Sequence, residues 1–217
     1  IYNACTNAFK LSNAGNSEII PLTQLAAYNN TIVNCGWRRA KNKKGGSIWL
    51  EKAIAPTFVN NLVYDCRFGL KQPKKDGADL EHSTIAPNYY FASTETGVKQ
   101  MSKDADMIIW NDNDIKSNVA GQFNPLFRNF KQSDVMNINC EIDNVQKGAP
   151  LPFDRSWNFN FQQGSQALSN GITNFQRIFP NGLAFFGMKK VMFLDNSNDQ
   201  NYYFAAPAPT TRFGAAL

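Results

Sequence analysis

Three segments of this 217-residue chain recur at one interval. Ile1-Tyr2-Asn3-Ala4 aligns with Ile32-Val33-Asn34-Cys35, and that with Val63-Tyr64-Asp65-Cys66, each step being 31 residues. The same step separates Ile54-Ala55-Pro56 from Ile85-Ala86-Pro87 and Lys43-Lys44 from Lys74-Lys75. One interval kept by unlike elements predicts a chain that winds and stacks equivalent residues above one another.

The repeated segments at 31–35 and 62–66 are β-branched or aromatic, and Asn-Asn precedes each of them. That is strand composition bounded by turn residues. The interval is too long for a hairpin. It fits one turn of a parallel β-helix, with about three short strands and a protruding loop, and stacked positions about 4.8 Å apart. Ile1, Ile32 and Val63 then form an inward aliphatic column, and Asn3, Asn34 and Asp65 a polar ladder at a turn. Asp65 either ends that ladder by accepting backbone N–H bonds or marks a charged site. In the fourth repeat the register carries through 85–91, after which Ser93-Thr94-Glu95-Thr96-Gly97 replaces the hydrophobic strand. Residues 103–110 read as a short helix or an insertion, 142–152 as a surface loop and 205–209 as an extended surface segment.

Composition supports an all-β reading. Only 18% of residues are charged, and 17 Phe, 7 Tyr and 4 Trp supply a large core, which excludes whole-chain disorder. No segment approaches the ~18 apolar residues of a membrane span. Of the four cysteines, Cys5, Cys35, Cys66 and Cys140, none forms a CxxC pair, which argues against a zinc site. Cys35 and Cys66 share a repeat position, as a buried thiol column or, alternatively, a disulfide.

The rungs at 29–35 and 60–70 resemble those of right-handed parallel β-helix proteins, the pectate-lyase-like superfamily. Asn124-Pro125-Leu126-Phe127-Arg128-Asn129 is similar to the D-P-x-F-x-N segment near the end of many of its members. Phe159–Leu168 (Phe-Asn-Phe-Gln-Gln-Gly-Ser-Gln-Ala-Leu) is similar to the D-F-x-L-x-x-x-S-P-A-I segment that follows it, with Asn160 and Gln166 in place of Asp and Pro. Pro207-Ala208-Pro209 with Phe213-Gly214-Ala215 resembles the P-x-x-G-A ending. The resemblance is closest to secreted or surface-anchored forms of Bacteroidetes-type bacteria. It implies a right-handed parallel β-helix with an irregular C-terminal cap: rungs over 1–100, and last rungs, insertions and cap over 101–217. It also implies an extracytoplasmic protein at the cell surface or outer membrane, or secreted. Because the chain starts inside a repeat, a preceding region is expected, with room for a signal or lipoprotein anchor. The superfamily contains lyases, hydrolases and non-catalytic surface proteins, so the fold does not choose among them.

The strongest chemical signal is a basic loop holding Arg38, Arg39, Lys41, Lys43 and Lys44, followed one repeat later by Lys71, Lys74 and Lys75. A net charge of +5 agrees with an anionic partner. Stacked like charges ask for compensation, and a uronate or sulfated glycan, or an acidic envelope protein, supplies it. Nucleic acid is not expected, since aromatic residues do not interleave the cations. Trp37 and Trp49 flank the loop, and Trp37 joins the ligand-binding candidates as a surface for sugar rings. A second group is Asp76, Asp79, Glu81 and His82. Asp76, Asp79 and Glu81 are the candidates for a calcium ion, although no cofactor is expected to be required. With such an ion, Arg67, Lys71 or Lys74 could abstract the proton in β-elimination of a uronate, whereas Asp76 and Asp79 could form a hydrolytic carboxylate pair. The reading favours a non-catalytic surface protein binding an anionic glycan or envelope partner. A lyase or hydrolase of acidic polysaccharide is the alternative.

Overall fold

The computed structural model describes residues 1–4, 6–13, 24–37, 47–130, 153–175 and 208–215. In chain order the strands are β1 (Phe9–Ser12), β2 (Gln24–Tyr28), β3 (Thr31–Val33), β4 (Ile48–Glu51), β5 (Ala55–Val59), β6 (Leu62–Tyr64), β7 (Leu70–Lys71), β8 (Thr84–Ile85), β9 (Tyr89–Phe91), β10 (Ile115–Lys116), β11 (Phe127–Asn129) and β12 (Asn158–Phe161). Helix is confined among the described residues to α1 (Glu95–Met101) and two 3-10 turns, Ala105–Met107 and Gln166–Leu168.

The described strands form small sheets that are parallel apart from one pair. Sheet A has the order β10-β9-β6-β3, sheet B β1-β4-β7 and sheet C β2-β5-β8. From β2 to β9 the chain visits C, A and B in constant rotation, so no two consecutive strands share a sheet. β11 and β12 pair antiparallel.

The 31-residue step is real where the first levels meet. Ile32 lies beside Val63 and Gln24 beside Ala55, and Tyr2 bridges to Val33, all 31 apart. It then shortens. Leu62 pairs with Tyr89, 27 residues on, and Tyr89 with Ile115, 26 on. Loop length between fixed strands sets the step, and the connection at 65–69 is far shorter than that at 34–47.

Two expectations therefore fail. Ile54-Ala55-Pro56 does not stack on Ile85-Ala86-Pro87, because Phe58 is the partner of Ile85. The fourth hydrophobic strand is Tyr89–Phe91, not the Ser93–Gly97 segment, which begins α1. Thr94 caps that helix by accepting the Gly97 N–H at 3.0 Å.

Alternation along sheet A feeds two cores. Ile32, Val63 and Tyr90 point to one side, where they meet Ile48, Leu50 and Leu70 of sheet B and Ala27, Phe58 and Ile85 of sheet C. Three sheets thus turn their apolar faces to a common interior. Burying each such large side chain stabilises by about 1.5–3 kcal/mol. Met101 of α1, Met107 and Ile109 are buried, and Met101 and Ile109 belong to this interior cluster. Gly69 N–H bonds to Met101 O, and Ile108 makes an antiparallel bridge to Lys71. Residues 95–109 therefore stand where a fourth strand of sheet B would be.

Val33, Tyr64 and Phe91 point the other way, into a second cluster with Phe127, Phe159 and Phe161. Tyr64 lies 4.7 Å from Phe91 and 4.9 Å from Phe127 between ring centroids, and Phe127 stacks on Phe161 at 5.6 Å. Such pairs add about 0.5–1.5 kcal/mol each beyond area burial. The antiparallel pair is thus a lid of aromatic rings over the outer face of sheet A.

The segments after it are tied down by two asparagines. Asn29 and Asn60 hold left-handed backbone, φ 53° and 56°, which Asn tolerates because its short side chain bonds locally. Asn60 Nδ2 donates to Ile172 O (2.6 Å) and Thr210 O (2.9 Å), while its Oδ1 accepts the Ile172 N–H. Asn29 Nδ2 donates to Arg212 O and Thr210, and its Oδ1 accepts the Thr210 N–H. Gly171 is required here, since a Cβ would stand 2.7 Å from Asn60 Oδ1.

Candidate functional site

The charged candidates gather around sheet B and its loops. On one side of that sheet Lys10 pairs with Trp49, and Trp49 with Lys71. Lys10 bridges Glu51 at 2.9 Å, and the Trp49 indole donates to Glu51 Oε2 at 2.6 Å. Burial tends to lift the Glu51 carboxyl, but these donors more than offset it and hold it below its ordinary value.

Lys71 is closed off from solvent. Its ammonium bridges Asp104 at 3.0 Å and lies 3.7 Å above the Phe68 ring. Arg67, 3% exposed, covers the same ring at 4.7 Å. Desolvation pulls the Arg67 guanidinium below its usual value, with Asp104 acting against it. A base must reach the proton that it abstracts. Arg67 and Lys71 are instead packed against an aromatic ring, so the expectation that either meets a solvent-borne polymer is not met.

Lys74 and Lys75 are exposed. Asp106 pairs with Lys74 and lifts its ammonium above the ordinary lysine value. The loop carrying them does not lie by the 31-residue register. Lys52 N–H bonds to Asp76 O and Ala53 N–H to Gly77 O (2.7 Å), so Lys74, Lys75 and Asp76 neighbour the turn after β4. The cause is the local step, since Ile48 pairs with Leu70 only 22 residues on. Arg38, Arg39, Lys41, Lys43 and Lys44 lie outside the described residues.

Trp37 is buried, and its indole donates to Asp65 O at 2.6 Å. It is a packing residue of the turn after β3 and not a surface for sugar rings. Trp49 is likewise 9% exposed.

Asp79 turns to His82. Its Oδ2 lies 2.8 Å from His82 Nδ1 and its Oδ1 accepts the His82 N–H. The His82 hydrogen bond draws the Asp79 carboxyl below its ordinary value. Asp76 and Glu81 are exposed. Among the described residues no group of three or more His, Cys, Asp and Glu side chains is arranged to hold a metal ion. Asp76, Asp79 and Glu81 are therefore not brought together as calcium ligands. Cys35 and Cys66 are buried thiols: Cys35 N–H bonds to Cys66 Sγ at 3.3 Å, and no disulfide joins them.

Among the described residues the most continuous polar structure runs along the entry edge of sheet A, where the sequence signal was the Asn-Asn before the strands at 31 and 62. Asn30 N–H and Nδ2 both bond to Asn61 Oδ1, at 3.0 and 2.8 Å. Asn61 N–H and Nδ2 both bond to Asn88 Oδ1 at 3.0 Å. Asn88 N–H bonds to Asp114 Oδ1 at 2.8 Å. Burial lifts the Asp114 carboxyl to about 6, against the N–H donors of Asn88 and Asn111. The ladder proposed at Asn3, Asn34 and Asp65 lies along the exit edge. Asn34 Nδ2 reaches Asn3 Oδ1 at 3.4 Å. Asp65 Oδ1 accepts the Ser93 N–H (2.7 Å) and hydroxyl (3.0 Å), and burial pushes its carboxyl up to about 7.

No protein-family model matches the chain, and no curated protein or solved structure is similar enough to count as a match. No described helix is long and apolar enough to cross a membrane.

Proposed function

We propose that sheets A, B and C are the three faces of a right-handed parallel β-helix, and that the protein is a non-catalytic extracytoplasmic surface protein holding an anionic polysaccharide. The fixed rotation of the chain through three sheets around one interior supports the first statement. The handedness follows the rule for parallel crossovers.

One observation carries the binding reading. The turns after β4 and β7 are bonded side by side, which sets Lys52 next to the Lys74-Lys75 loop, all three exposed at one corner. The groups suited to proton transfer, Arg67 and Lys71, are enclosed. Repeated cations at roughly one inter-strand spacing match a polymer with regularly spaced carboxylates or sulfates. Arg38, Arg39, Lys41, Lys43 and Lys44 belong to the chain that enters β4 and extend the same charge in sequence.

The test is retention of the purified chain on immobilised polygalacturonate against a neutral glucan, over a salt gradient. Retention on the acidic polymer alone, falling with salt and lost in a Lys52→Gln, Lys74→Gln, Lys75→Gln variant of unchanged circular dichroism, is the expected result. Equal retention by that variant refutes the corner. Turnover of the polymer, abolished by Lys71→Ala or Asp79→Ala, would replace the binding reading with the lyase or hydrolase one.

A further inference from the structure

On the exit edge of sheet A, two buried oxygens one level apart both lack a donor. Asn34 Oδ1 and Asp65 Oδ2 are closed to solvent and have no hydrogen-bond partner among the described residues. Their residues are in register, since Asn34 N–H bonds to Tyr64 O at 2.9 Å and Val33 pairs with Tyr64. Both hold left-handed backbone, φ 53° and 49°, so their side chains leave equivalent turns in the same sense, about 4.8 Å apart. The rest of each group is occupied. Asn34 Nδ2 turns to Asn3, and Asp65 Oδ1 takes both donors of Ser93. Two bare acceptors in a dry turn repel each other, and leaving buried acceptors unmade is costly. A single proton on Asp65 removes both defects, because a protonated carboxyl has one O–H to give.

We propose that Asp65 is built into this turn as a neutral carboxylic acid whose Oδ2–H donates to Asn34 Oδ1, and that its ionisation loosens the turn between two levels of the stack. Among the described residues the neighbouring groups do not offer a countercharge. From its own strand and turn come the Tyr64 phenol and the Cys66 thiol, both pushed up by burial and so neutral. From the level before come the Cys35 thiol and the Trp37 indole, which donates to the Asp65 carbonyl. From the level after comes Ser93. The cation nearest in sequence, Arg67, stacks on Phe68 and is drawn to Asp104. Burial lifts the Asp65 carboxyl to about 7 although Ser93 acts against it, so the change falls near neutral pH.

The sign follows. The folded form binds its proton more tightly than the unfolded chain, whose aspartate titrates near ~3.9. The stabilisation is whole below that value and is lost as pH rises through about 7.

The test is carbon NMR of the Asp65 carboxyl in the whole chain, together with hydrogen-exchange protection of the Ser93 N–H and Trp37 indole N–H, corrected for the intrinsic pH dependence of exchange. A carboxyl carbon titrating near 7, with protection falling about tenfold per pH unit between about pH 4 and pH 7 and levelling off above that in the wild type, and staying level in Asp65→Asn, is the expected result. A carboxyl that titrates in the ordinary range near ~3.9 overturns the proposal and assigns Asn34 Nδ2 as the donor to an ionised Asp65. Protection that falls alike in both proteins overturns it too. Should Asp65→Asn not fold, the wild-type carbon titration decides alone.

Discussion

Two polar columns flank the same sheet and end differently. The entry column, Asn30-Asn61-Asn88-Asp114, passes both an N–H and an amide donor from level to level. It stops on a carboxylate that accepts the backbone N–H groups of Asn88 (2.8 Å) and Asn111 (2.9 Å). The exit column, Asn3-Asn34-Asp65, is made of the same residue types, yet its final carboxyl takes both donors on one oxygen and none on the other. Burial raises both acids, to about 6 for Asp114 and about 7 for Asp65. A ladder is a stabiliser only when its last acceptor is supplied with donors, and the backbone of the next level decides that.

The contrast can be broken most severely at Asn61. It donates to Ala27 O, Val59 O and Asn88 Oδ1 and accepts twice from Asn30. Asn61→Ala should cost about 3 kcal/mol or more, since several buried partners are orphaned at once. A urea midpoint measured at fixed slope checks it. Next comes pH. Ionising Asp65 should remove on the order of 3 kcal/mol between about pH 4 and pH 7, with stability higher on the acid side. Urea melts across that range should show the loss in wild type and a flatter curve in Asp65→Asn. Asp114→Asn leaves one amide oxygen where two carboxylate oxygens served two N–H groups, and should cost about 1 kcal/mol in thermal melts. Ser93→Ala should be smallest, about 0.5–1 kcal/mol, and should move the Asp65 titration further up, since one of the donors opposing the shift is gone.

The strands of the first levels were legible because their signal is local. Thr31–Val33 and Leu62–Tyr64 are β-branched or aromatic runs behind Asn-Asn, and their spacing gave the true partners of Ile32 and Val63. The fourth level was misaligned because register belongs to the strands, whereas spacing belongs to loops of unequal length, so Ile85 met Phe58 instead of Ile54. The helix at Glu95–Met101 was missed, although Thr94 is a good cap, because an expected strand position outweighed it. The site was less legible still. Trp37, Arg67 and Lys71 are of residue types that serve sugars and proton transfer, but their burial is set by the segments folded over them. The entry ladder was visible only as Asn-Asn, since Asn88 and Asp114 stand outside the 31-residue interval.

The amides of Asn29 and Asn60 have a consequence for assembly. They sit in early turns, yet their bonds run to residues 112 to 183 positions later in the chain. A nascent chain that holds residues 29–60 but not yet 172–212 carries two latches without these partners. The turns at Asn29 and Asn60 gain these bonds only when Ile172, Thr210 and Arg212 fold against them, so their closure waits on a segment made more than a hundred residues later.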